Sequence, residues 1–107
     1  MQYDSGELDI SRLLDGDRQS WGKFVDRYAP IIYSAILKLL KTYCGFADPE
    51  QAADLTQVVF MSLVKDNYRL LRNFDARKAS MTTWLRIIAR SRSLDVLRKR
   101  RLSLIHI

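Results

Sequence analysis

Between Ser80 and Arg101 the chain reads SMTTWLRIIARSRSLDVLRKRR, and no other stretch limits the fold as much. Trp84, Ile87, Ile88, Leu94 and Leu97 recur at helical spacing, with Ser91 in the one polar gap. At roughly 100° per residue, Arg86, Arg90 and Ser93 fall together on another face. Ser80 supplies a hydroxyl suited to capping a helix, and the basic run Arg98 to Arg101 closes the stretch. The pattern predicts a long helix with one side in a core and another offering cations and hydroxyls to something anionic. Its apolar side needs other helices as cover, because Gly (4) and Pro (2) are too scarce for the turns of an all-β fold. In 107 residues, 48% of them hydrophobic, the expectation is an all-α fold, a compact bundle of about four helices.

The rest of the chain supplies those helices. Leu8, Ile10, Leu13 and Leu14 predict a short first helix closed by Gly16, and Asp17 is placed to cap a second. Along that second helix Trp21, Phe24, Val25, Tyr28, Ile31, Ile32, Ala35 and Leu39 form an apolar stripe. Pro30 lies inside it and removes one backbone hydrogen bond, but the stripe keeps phase, so one kinked helix is expected. Asp48-Pro49-Glu50-Gln51 spells a third helix start, with Asp48 as cap, Pro49 at the first position and Gln51 able to close a capping box. Ala52, Leu55, Val59 and Leu63 then face a core, while Asp54, Gln57, Val58, Met61 and Lys65 cluster opposite. Val58 and Met61 are apolar on a face that otherwise wants water. Either that strip docks a protein, or the amino-terminal helix covers it.

Asp66 to Ala79 (DNYRLLRNFDARKA) connects to the basic helix, with Leu70-Leu71 as a helical turn or a tether into the core. Tyr68 and Phe74 interleave there with Arg69, Arg72, Arg77 and Lys78. Rings among cations suit single-stranded nucleic acid, since bases stack while cations follow phosphates. Equally, the two rings could plug the end of the bundle. Nothing marks an internal boundary, so residues 1–107 read as one domain, with 102–107 (LSLIHI) as a tail or the start of a linker.

Charge is divided unevenly. Eleven cations lie from Arg69 onward against only Asp75 and Asp95, whereas Asp48 to Tyr68 sets Lys65 against Asp48, Glu50, Asp54 and Asp66. That split points to two partners of different sign, and the basic third is the electrostatic footprint of a nucleic-acid binder. Catalytic chemistry is missing. Cys44 is the one cysteine and reads as a small core hydrophobe; His106 is the one histidine, so no metal or cofactor site is expected. The glycines are scattered, without a phosphate-cradling loop, and Ser80, Ser91 and Ser93 lack a general base. Asp95, one turn from Arg92, Arg98 and Lys99, is expected to form a surface ion pair. MQYDSGELD lacks a signal-peptide pattern and no apolar run is long enough for a membrane span, so a cytoplasmic, non-enzymatic protein is expected.

Four segments, in order, resemble region two of bacterial RNA polymerase sigma factors of the extracytoplasmic-function group. They are Phe24-Val25-Asp26-Arg27-Tyr28-Ala29-Pro30; Ala53-Asp54-Leu55-Thr56-Gln57-Val58-Val59-Phe60; Phe74-Asp75 with Ser80 leading into Trp84-Leu85-Arg86-Ile87-Ile88-Ala89-Arg90; and Asp95-x-x-Arg98 running into Lys99-Arg100-Arg101. The resemblance covers about residues 10–101. It implies that the third helix docks on the clamp helices of the largest subunit of core RNA polymerase through Asp54, Gln57, Val58 and Met61. It also implies that the following loop and helix recognise and melt the promoter −10 element by capturing an unstacked base of the non-template strand. Loop candidates are Tyr68, Arg69, Asn73, Phe74, Arg77 and Lys78, with Ser80, Thr82 and Thr83 at the helix start. Helix candidates, mainly for phosphates, are Arg86, Arg90, Ser93, Arg98, Lys99, Arg100 and Arg101. Trp84 belongs with the core, and an anti-sigma factor is a natural further partner.

The sequence departs from the family in places. Acidic residues often stand where Ala53 and Val58 do here, so the docking face is more apolar than usual, and Asn often stands where Ser91 does, which weakens a base contact there. Such factors usually carry a second domain reading the −35 region, and none is expected in these residues. Two other readings fit the charge: a sequence-indifferent basic module for nucleic acid, and an interaction domain for an acidic protein.

Overall fold

A computed structural model describes residues 9–105 as four helices: α1 (Ile10–Leu14), α2 (Arg18–Cys44), α3 (Pro49–Arg72) and α4 (Met81–Ile105), with no strand among the described residues. The all-α expectation therefore holds; Leu8 lies outside the described residues. Helix starts follow the sequence. Asp9 accepts from the Arg12 N–H at 3.2 Å, and Asp48 accepts from Glu50 N–H at 3.1 Å with Pro49 in the first turn. Asp17 accepts from the Ser20 hydroxyl at 2.6 Å and the Ser20 N–H at 3.0 Å. Those two bonds hold its carboxyl below the usual carboxylate range. Gly45 ends α2 at φ +79°, the left-handed conformation a side chain disfavours.

The long helix α2 packs against both α3 and α4, and α1 lies across α2 and α3. It runs unbroken past Pro30, which is exposed, so its missing N–H leaves no buried carbonyl at the core side. Phe24, Ile32, Ile36, Leu39 and Leu40 bury one stripe of α2 on either side of the proline. From α3, Ala52, Leu55, Val59 and Leu63 meet them, all fully buried as their spacing predicts. The rings of Trp21, Phe24, Tyr28 and Phe60 pack together: Trp21 stacks on Phe24 at 5.5 Å, Tyr28 lies 5.0 Å from Phe24, and Phe60 meets Trp21 edge-on at 5.8 Å.

The core face of α4 differs from the expected one. Leu85, Ala89, Ser93 and Leu97 are buried, whereas Ile87 is 58% exposed and Trp84, Ile88 and Leu94 are half-buried. Leu85, Ala89, Ser93 and Leu97 are spaced four apart, so the stripe is centred about one residue away from the one read off the larger side chains. Ser93 thus sits inside the bundle, and its hydroxyl has no hydrogen-bond partner. An unpaired buried hydroxyl is destabilising and alanine is the better helix former. Ser93→Ala is therefore expected to stabilise the fold by about 1 kcal/mol, seen as a higher urea midpoint. A lower midpoint would show that the hydroxyl is satisfied. Cys44 is also displaced from expectation: it is exposed, because it falls on the outer side of the last turn of α2.

Within α3 the backbone leaves the helical region at Lys65 (ψ 142°), and Asp66, Asn67 and Tyr68 are left-handed at φ +55°, +57° and +60°. Left-handed backbone costs about 1–2 kcal/mol per residue, less for Asp and Asn. Arg72 offsets part of this by donating from Nε to Asn67 O (2.8 Å) and from Nη2 to Leu14 O (2.7 Å), tying the break to α1. After the break Leu71 is buried, so the Leu70-Leu71 pair is both a helical turn and a tether.

Candidate functional site

Three surfaces gather the residues with chemistry to offer. The first is the outward side of α3. Met61 is 68% exposed, Asp54 and Gln57 are exposed and Val58 is half-buried, so the described part of α1 does not cover this strip. Beside it a shallow, mainly apolar groove of about 420 Å³ runs between α2 and α3, lined by Val25, Ala29, Pro30, Tyr33, Ala53, Thr56, Gln57 and Phe60. The α2 wall of this groove was not among the expected docking residues. Pro30 was its one sequence signal, being a proline retained on an exposed helix face. Asp54 is not unattached: Arg100 Nη2 of α4 meets its Oδ2 at 2.9 Å. An expected docking residue and an expected phosphate contact therefore hold each other, both about half-exposed.

The second surface is basic. Arg86 and Arg90 of α4 face Lys38, Ser34 and Thr42 of α2 across a groove of about 270 Å³. Three cations, two hydroxyls and no carboxylate give this groove the chemistry that suits phosphate oxygens. Ser93 is not part of it: it is fully buried, which corrects its assignment as a DNA contact. The α2 residues were missed because Lys38 and Thr42 carry no motif and become relevant only once α2 packs on α4. Further along, Arg98, Lys99 and Arg101 are exposed, with the Arg101 guanidinium 6.0 Å from the Tyr43 ring. Asp95 forms no ion pair among the described residues, contrary to expectation.

The third surface is the loop between α3 and α4. Ser80 caps α4, accepting from the Thr83 N–H at 3.1 Å, with the two hydroxyls also 3.1 Å apart. Arg77 grips Asp75 through Nε (3.1 Å) and Nη2 (3.0 Å), and Lys78 N–H donates to Asp75 O (3.0 Å). The Arg77 guanidinium, followed by its backbone N–H, holds the Asp75 carboxyl below its ordinary range. This folded loop closes a pocket of about 340 Å³ against α1 and α2, lined by Ile10, Arg27, Tyr28, Phe74, Ala76, Ala79, Ser80 and Met81. Phe74 leans on Trp84 at 5.3 Å, and the Arg27 guanidinium lies 5.9 Å from the Tyr28 ring. A pocket with two aromatic side chains, a cation and a hydroxyl suits an unstacked base. Thr82 is half-buried in the first turn of α4.

The other loop candidates lie elsewhere. Tyr68 is half-buried with its ring edge-on to Trp21 at 5.9 Å, extending the aromatic cluster and closing the bundle end. Arg69 and Asn73 open onto a separate cleft facing Arg92 of α4. Among the described residues no cluster of ligating side chains could hold a metal ion, and no helix is long and apolar enough to cross a membrane.

The sigma-70 region 2 family model matches residues 24–103, from Phe24 in the α2 stripe to just past the basic run. No curated protein and no solved structure matches the chain. The family match covers most of α2, all of α3 and most of α4, and every residue named on the three surfaces except Ile10. The chain belongs to the sigma-70 region 2 family, a non-catalytic domain of transcription initiation with a role in promoter recognition and RNA polymerase binding.

Proposed function

We propose that the chain docks on the clamp helices of core RNA polymerase through the outward side of α3 and the adjoining α2–α3 groove. It then captures an unstacked base of the non-template −10 strand in the loop pocket, while the Arg86–Arg90 groove holds phosphates and the duplex melts from there. The observation that carries this reading is the loop pocket itself, where Tyr28, Phe74, Arg27 and Ser80 converge beside the start of the basic helix. Base capture offsets a few kcal/mol of unstacking, which is the energetic requirement for opening a promoter without a catalyst. Exposed Met61 beside Gln57 supports protein docking, since burial of such a side chain contributes about 1.5–3 kcal/mol. The motif from Trp84 to Arg90 supports the extracytoplasmic-function type. Its working place is the cytoplasm, and an anti-sigma factor that covered α3 would block docking.

The test is retention of a labelled −10 non-template strand by core polymerase with this chain, against a scrambled strand. Preferential retention of the −10 strand is expected. Arg86→Gln with Arg90→Gln should lower affinity on the order of tenfold and flatten the logarithmic salt slope by about 1.4, the value for two phosphate contacts on a single strand. Equal retention of the scrambled strand would favour a sequence-indifferent basic module and sink the proposal.

A further inference from the structure

The apolar stripe that spacing places in the core lies partly outside it on α4. Ile87 is 58% exposed, Leu102 is 54% exposed and Leu94 is half-buried, with Ser91 exposed between them. At about 100° per residue these four fall within roughly 80° of one another, on the side away from buried Ala89 and Ser93. Ile87 and Leu94 are seven residues apart and Leu102 follows eight later, so the seam runs about 22 Å along the helix. Arg90, Arg98 and Arg101 border it, with Arg86 just beyond, and all four are exposed. None of the four forms an ion pair among the described residues, and Asp95 is the one carboxylate beside the seam.

We propose that this seam is a docking surface for an amphipathic helix of a partner protein, one whose apolar stripe is flanked by carboxylates. Apolar anchors at helical spacing inside a charged border are what a helical partner reads. The border chooses the partner's sign, because arginines favour acidic flanks and repel basic ones. A second copy of the chain is disfavoured by the same charges. Pairing seam to seam, parallel or antiparallel, would bring Arg90 and Arg98 against their like. DNA fits the seam less well, since phosphates would pair with the arginines but leave the apolar side chains in water. A bound acidic helix would take up Arg86 and Arg90, which also line the groove on the α2 side, and leave α3 free. Its regulation of promoter binding rests on the function proposed above; the docking surface does not.

The test is fluorescence anisotropy of a labelled helical peptide of about 20 residues, long enough to span the seam, titrated with the whole chain. The peptide carries leucine at heptad positions a and d and glutamate at e and g; its control carries lysine at e and g. Saturable one-to-one binding of the glutamate peptide is expected, about tenfold or more tighter than the control. Ile87→Gln with Leu102→Gln should weaken it about fivefold or more, with the helical spectrum, urea midpoint and −10 strand affinity unchanged. Equal binding of the two peptides, or a double variant that binds the glutamate peptide as the parent does, would overturn the proposal. So would dimerisation of the parent that the double variant abolishes, which assigns the seam to a second copy. Loss of strand binding in the double variant would assign the seam to DNA instead. If the −10 preference fails while the glutamate peptide still binds at the seam, the proposed function falls and the docking surface stands. If the bound peptide leaves the strand in place, the regulatory role falls and the proposed function stands.

Discussion

Phe24→Ala is expected to lower the free energy of unfolding by about 3–5 kcal/mol. Phe24 is fully buried and its ring lies within 6.4 Å of three others, Trp21, Tyr28 and Phe60. Removing it takes away the transfer energy of a large ring and leaves a cavity that stiff aromatic neighbours fill poorly. It also loosens the attachment of α2 to α3 at the end where Tyr68 and the α3 break are anchored. Domains of this kind are stable by about 5–15 kcal/mol in total, so the variant should be partly unfolded without denaturant. Phe24→Leu, which keeps most of the volume, should lose about 1.5 kcal/mol or less. Urea unfolding followed by circular dichroism reads both. A loss under about 1 kcal/mol for Phe24→Ala would mean that the ring cluster does not join the two helices.

Much of this architecture is legible in the chain because caps and periodicity are local. Asp17, Asp48 and Ser80 each act at the helix start their positions indicate, and the α3 stripe is buried as spaced. The α4 stripe misled for a physical reason. Large apolar side chains drew the reading toward Ile87, whereas close approach to α2 and α3 selected the smaller Ala89 and Ser93. Ser93 consequently changes from a candidate DNA contact to a packing residue. The candidate sites were half legible. Residues on one helix declare themselves by spacing, but the opposite walls, Val25 and Tyr33 for one groove and Lys38 for another, depend on which helices pack together. The left-handed break at Asp66 to Tyr68 has no glycine to announce it, and Arg69 and Asn73, which follow it, line a cleft of their own rather than the loop pocket.

Met61→Glu is expected to weaken polymerase docking at least tenfold, the larger effect on function. Met61 is exposed beside an apolar groove, so burial against a partner would be lost and a carboxylate left in an apolar contact. Folding should not suffer, because no buried contact changes. Asp54 is a poorer probe. Its substitution also releases Arg100, and that half-exposed pair contributes at most about 1 kcal/mol to stability. Asp54→Arg would place two like charges together and so disturb both surfaces at once.

The measurement that bears most directly on the central claim is binding of the whole chain to a clamp-helix fragment of the polymerase's largest subunit. Calorimetry would compare the parent with Gln57→Ala and Met61→Glu, with melting temperatures recorded in parallel. Saturable one-to-one binding is expected for the parent, weakened by both substitutions, with melting temperatures nearly unchanged. A folded parent that does not bind, or a Met61→Glu variant that binds as tightly as the parent, would contradict docking through α3.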